Sequence, residues 1–158
     1  MRLQSPLARA EDTRARATLR AGVRGVIAAM AMTGMRTLTE EAGWLEEAPP
    51  DAVFSQDPTG VLAKIPESKR PFVIELSHWA FGAVGGVGFV TAPAALRKHP
   101  WAGPLYGLVV WGAFETAVAP LLRLSQARRL RLLDRAMLAA DHVLYGAIVA
   151  ESRWPQRV

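Results

Sequence analysis

The segment LSHWAFGAVGGVGFVTAPAAL, Leu76 to Leu96, contains no Asp, Glu, Lys or Arg. A helix needs ~20 such residues to cross ~30 Å of hydrocarbon. The run, extended back to Phe72 and closed by Arg97-Lys98-His99-Pro100, therefore predicts a membrane span over 72–96. Residues 101–122 follow as a second apolar run broken only by Glu115, with Trp101 and Tyr106 near its start, the level at which interfacial aromatics lie. The short link predicts a tight hairpin between these two. Upstream, 21–38 is interrupted by Arg24 and Arg36, leaving Gly25 to Met35 uncharged. Downstream, Ala136 to Ala150 carries Asp141 and His142 and reaches spanning length when extended back to 132. Both are read as further spans, so the expected fold is all-α, a polytopic membrane four-helix bundle.

The averages alone would suggest something else. The chain has 158 residues, 51% of them hydrophobic and 21% charged, with a mean hydropathy of only +0.13. Those values suit a soluble domain, but the apolar residues are bunched into runs while the charge sits in tails and connectors, as a bilayer requires. The absence of cysteine excludes a disulfide framework, a thiol nucleophile, thiolate zinc sites and Cys-ligated iron-sulfur clusters. The net charge of +5 flanks apolar runs instead of interleaving with aromatics. That argues against nucleic acid and for the lipid bilayer with its anionic headgroups as the partner. A membrane-protein partner or a homo-oligomer is equally compatible with this composition.

Outward from the spans, residues 1–20 read as a basic juxtamembrane arm and 21–150 as a single membrane domain. The interval 39–71 reads as an acidic, Pro-rich loop and 151–158 as a short tail. The arm has Ser5 placed as N-cap, Pro6 at the first helical position, and Arg16, Arg20 and Arg24 at i, i+4 spacing, for which lipid phosphate is the natural counter-charge. Glu11 and Asp12 make it unlike the leading region of a cleaved signal peptide. With four spans, the amino-terminal side carries ten Lys and Arg and the other side nine. That balance leaves orientation to the first helix, which favours cytoplasmic termini.

Two of the spans share a pattern. His78-Trp-Ala-Phe-Gly-Ala-Val-Gly-Gly86 and His142-Val-Leu-Tyr-Gly-Ala-Ile-Val-Ala150 both read H-x-x-[FY]-G-A-[VI]-x-[GA]. The first and third spans align more loosely, Gly34-Met35-Arg36-Thr37 with Ala113-Phe114-Glu115-Thr116. The pattern suggests two duplicated helix hairpins related by an axis along the membrane normal. Gly82 and Gly86, and Gly146 with Ala150, then form small-residue stripes that let membrane helices approach closely, which predicts contact between the second and fourth spans. The same alignment predicts that Arg36 pairs with Glu115 across the bundle.

The ionisable residues inside the spans, Arg36, Glu75, His78, Glu115, Asp141 and His142, all fall toward the side of the acidic loop, because alternate helices run antiparallel. Such residues are costly within a bilayer and are functional candidates for that reason. A carboxylate and imidazole chain can relay protons, bind a cation or sense pH. The structural alternative is that the cluster only cross-links helices, in a partner-binding or scaffolding subunit without transport. Glu75-Leu-Ser-His78 is an E-x-x-H, so a di-iron-type site is a minor alternative, but Ala139 stands where the fourth span would need its Glu. A haem held between His78 and His142 is another. No metal and no cofactor is therefore expected. Ser77 and the threonines lack a nucleophile elbow, so no enzymatic activity is expected either.

The short first span, the Pro-Pro-containing loop, and the strings ELSHWAFG, WAGPLYG, GAFE and DHVLYG resemble small uncharacterised bacterial, particularly actinobacterial, membrane proteins. The chain is similar in style to the YagU-like (DUF1440) group over roughly residues 20 to 150. The resemblance implies a four-helix inner-membrane protein and no established activity.

Overall fold

In the computed structural model the described residues are 6–44, 60, 64–121 and 131–150. Among them the chain is helical, with no strand. Helix α1 runs Pro6–Glu41, α2 Arg70–Thr91, the short α3 Ala94–Arg97, and α4 Ala102–Ala113. A π-helical turn, Phe114–Val118, carries α4 into the brief α5, Ala119–Leu121, and α6 spans Leu132–Ala150. The proposed arm and first span are thus one continuous helix of 36 residues. At ~1.5 Å per residue it extends ~54 Å, well beyond a ~30 Å hydrocarbon layer.

Helix ends fall where local chemistry puts them. At the end of α1, Gly43 adopts φ +71. The Gly43 N–H donates to Glu40 O at 2.9 Å and the Trp44 N–H to Thr39 O at 2.8 Å. This is a Schellman cap, and it carries the helix three residues past the boundary at 38 and into the expected loop. At the other edge of that loop, Arg70 and Pro71 already belong to α2, with proline in the first turn where its missing N–H costs nothing. The expected span to residue 96 ends early, at Thr91. Ala92 is extended before Pro93, and proline disfavours a helical residue ahead of it. In α4 the turn opens to π geometry ahead of Pro120, whose ring would otherwise press on the carbonyl of residue 116. The helix α6 begins with Asp134 accepting from the Arg131 N–H at 2.9 Å, the reciprocal half of a capping box.

Packing pairs α1 with α2 and α4 with α6, and α1 with α6 joins the two pairs. Both helix pairs cross on glycine. A Cβ placed on Gly25 would overlap the carbonyl of Gly82, and one on Gly86 the carbonyl of Ala21. On the other side, Cβ atoms on Gly107 and Gly146 would overlap the carbonyls of His142 and Gly103. The small-residue stripes therefore face the first and third helices, not each other as the repeat suggests, because each stripe fills the groove of its own hairpin partner. The helices α2 and α6 meet instead through one long side chain, the Tyr145 hydroxyl donating to Gly82 O at 2.7 Å. Tyr106 links α4 to α2 in the same way, donating to Gly85 O at 2.6 Å, and its ring lies edge-on to Phe89 at 5.2 Å. The second and third helices thus touch through side chains.

Many large apolar side chains face outward from the bundle. Phe81 is 77% exposed and Leu121 83%, and Phe72, Val84, Leu105 and Val109 also face outward. Buried positions hold Arg36, Thr39, Asp134 and Asp141 beside small residues such as Ala28 and Ala29. Two segments, Glu67–Thr91 and Ala102–Leu121, are long and apolar enough to cross a membrane. The remaining two expected spans do not meet that measure. Their inward stripes carry the charges: α1 buries Ala21, Gly25, Ala28, Met32, Arg36 and Thr39, and α6 buries Asp134, Leu138, Asp141, Tyr145 and Val149.

The glycine crossings generate a mutational expectation. Replacing Gly82, Gly86 or Gly146 by Leu should destabilise the detergent-solubilised protein by at least about 2 kcal/mol through overpacking. Val84→Leu, on an outward face, should be close to neutral. Thermal melts followed by circular dichroism check this; equal loss at Val84 would contradict the crossing.

Candidate functional site

The inward stripe of α1 repeats every three or four residues, and this periodicity brings Arg36 into the bundle at 8% exposure. Its guanidinium Nη2 donates to Glu75 Oε1 of α2 at 2.8 Å. The other carboxylate oxygen, Glu75 Oε2, accepts from the Thr33 hydroxyl at 3.0 Å, one turn back along α1. That hydroxyl also lies 3.4 Å from His78 Nδ1 and 3.2 Å from the Ala29 carbonyl. The E-x-x-H of α2 is therefore occupied by protein partners: the glutamate holds Arg36 and Thr33, and the histidine faces the same threonine.

A second set comes from α6. Asp141 is 6% exposed, and its Oδ1 has no hydrogen-bond partner among the described residues. His142 places Nδ1 2.8 Å from the Leu138 carbonyl, which leaves Nε2 as the face of the ring not bound to its own helix. The two sets meet electrostatically. Arg36 acts on both His78 and Asp141, and His142 acts on His78. The helix α1 packs against both α2 and α6, and the bond of Arg36 goes to Glu75 on α2.

Glu115 stands apart from this arrangement. It sits half-buried in the π-turn of α4, and the pairing expected between it and Arg36 is replaced by Arg36–Glu75. The reason is helical phase. Arg36 and Glu75 lie at facing positions of the α1–α2 crossing set by Gly25 and Gly82, whereas α1 makes its other close contacts with α6. Among the described residues, no group of three His, Asp or Glu converges in a way that could hold a metal ion. Gly82, Gly86 and Gly146 contribute to the site only indirectly, by fixing how far apart its helices stand.

Sequence reasoning missed Thr33, Asp134, Tyr106 and Tyr145. Thr33 was legible as a neighbour of Arg36 three positions away on one helix face. Tyrosines inside apolar helices must find an acceptor, which pointed to cross-helix bonds. Asp134, 2% exposed, binds the Arg131 side chain through both oxygens, Nε to Oδ2 at 3.1 Å and Nη2 to Oδ1 at 2.9 Å. It anchors the start of α6.

Breaking a buried pair leaves an uncompensated charge, which costs about 3 to 5 kcal/mol. Arg36→Ala and Glu75→Ala should each destabilise the protein by roughly that amount, with a coupling of at least about 1 kcal/mol between them, while Arg36 and Glu115 should show coupling below about 0.5 kcal/mol. Double-mutant cycles on urea or thermal unfolding in detergent check both pairs.

Compared with protein-family models, with curated proteins and with solved structures, the chain matches none.

Proposed function

We propose that the chain is a multi-pass integral membrane protein of the bacterial inner membrane whose buried polar end handles protons or a small cation. The membrane part of this reading is supported by the outward apolar faces: phenylalanine, valine and leucine are exposed while Arg36 and Asp141 are buried. Exposed apolar surface of that extent is unfavourable in water and favourable in lipid. The termini are assigned to the cytoplasm on the weight of the arginines at the start of α1. A four-span topology follows if α1 and α6 are carried across by the two more apolar helices, their charges kept inward and paired.

The observation that carries the functional part is the Asp141 oxygen. A carboxylate oxygen that is buried and unpartnered among the described residues has unused capacity for a proton or a cation. It lies within electrostatic reach of Arg36, which already holds Glu75. Binding at Asp141 and the Arg36–Glu75 pair are therefore coupled through one charge. His78 and His142 extend the chain of groups able to exchange protons. The scaffolding alternative draws on the glycine crossings and the two tyrosine links, which would make the same cluster a lock between helices.

Proteoliposomes containing a trapped pH dye separate the two. The intact chain should raise the proton flux after a pH step above that of empty vesicles, and Asp141→Asn, which keeps the side-chain shape, should return it to the empty-vesicle rate with helical content unchanged. Wild-type flux equal to that of empty vesicles, with sodium and potassium gradients equally unaffected, would favour the lock.

A further inference from the structure

We propose that Arg16, Arg20 and Arg24 of α1, with Lys98 beside the α3 turn, form a docking surface for the phosphates of anionic lipid headgroups; this rests on the membrane reading above. The bundle starts to bury α1 only at Ala21, and residues 12–20 are all exposed. This exposed stretch of α1 is ~13 Å long. Arg16, Leu19, Arg20, Val23, Arg24 and Ile27 are spaced i, i+3, i+4, i+7, i+8 and i+11, which places them on one helix face. Leu19, Val23 and Ile27 of that face are 69%, 51% and 52% exposed. The face opposite, with Ala21, Gly25 and Ala28, packs into the bundle.

Arginines and exposed apolar residues thus alternate along this face. A face that interleaves exposed apolar side chains with arginines matches the boundary of a lipid monolayer, where acyl chains and phosphates are both within reach. Long arginine stems can lie on the apolar strip while their guanidinium groups reach outward to phosphate. Arg16 is engaged by Asp12 at 2.8 Å, but both side chains are more than half exposed, so an external phosphate can compete for the guanidinium.

The antiparallel α1–α2 crossing brings further groups to the same end. Gly86 abuts Ala21, so the part of α2 beyond it runs alongside the exposed stretch of α1. It leads to exposed Lys98 and to Trp101, which is 52% exposed and stacked on His99 at 4.9 Å. Tryptophan and lysine at one level, beside an arginine ladder, have the chemistry of a headgroup layer. Free phosphate would satisfy the guanidinium groups alone and has no use for the intervening Leu19, Val23 and Ile27, so the occupant is the lipid.

The test is a lipid titration of the full chain in neutral detergent, followed by native mass spectrometry. Dioleoyl phosphatidylglycerol should bind at least about tenfold more tightly than dioleoyl phosphatidylcholine, since each basic residue near an anionic surface contributes about fivefold. The preference should weaken as salt rises. The triple variant Arg16→Gln, Arg20→Gln, Arg24→Gln should lose most of it. The charge-matched control Arg14→Gln, Lys64→Gln, Lys69→Gln should keep it. Equal binding of the two lipids by the wild type, equal loss in the control, or displacement of phosphatidylglycerol by an equal concentration of inorganic phosphate would each overturn the proposal. Failure of the membrane reading is seen separately, as release of the chain from membranes by alkaline carbonate.

Discussion

Two backbone crossings without side chains between them set the geometry of the whole bundle. Where Gly25 meets Gly82 and Gly86, and where Gly103 and Gly107 meet Gly146, there is no room for a Cβ. Such proximity fixes rotation as well as distance, because only one face of each helix is smooth enough to make it. Once α1 is held by Gly25, its inward stripe is determined, and Arg36 must enter the bundle eleven residues later. Once α6 is held by Gly146, Asp141 and Asp134 must do the same. The polar end is thus a consequence of the packing at the other end. In lipid, where apolar burial supplies little drive between helices, close van der Waals contact and cross-helix hydrogen bonds such as those of Tyr106 and Tyr145 must hold the assembly together.

That division gives the molecule two halves with different physics. Around Phe89, Tyr106, Tyr145 and Val149 the interior is apolar, with tyrosine hydroxyls satisfied on helix carbonyls. Toward the C-terminal end of α1 it is ionic, organised by one guanidinium. Arg36, from α1, is bonded to Glu75 of α2, while Asp141 of α6 is buried with one oxygen unpartnered among the described residues.

The helical class was legible in the sequence, because it follows from apolar run length. The two apolar segments, α2 and α4, were also legible for that reason. Element ends were less so: Gly43 and Pro93 were both present as signals for the close of α1 and α2, but the uncharged run was given more weight than the caps. The loose alignment of Gly34–Thr37 with Ala113–Thr116 points Arg36 to the wrong partner, because it compares positions along the axis and carries no rotational phase. The buried stripe from Ala21 to Thr39 carries that phase, and it points Arg36 to Glu75. The glycine stripes were found, yet their partners were not, since a smooth face says how closely a helix can pack and not against which neighbour.

The account stands or falls on whether the outward apolar faces meet lipid. The chain has no cysteine, so single cysteines can be introduced and labelled without background. In intact membranes, a membrane-impermeant maleimide should fail to label Phe81→Cys and Val109→Cys, both on outward faces of the bundle, while labelling exposed Lys98→Cys once its side is accessible. All three should react after denaturation. Rapid labelling of positions 81 and 109 in the folded, membrane-associated protein would mean that water, not lipid, covers those faces, and would contradict the central claim.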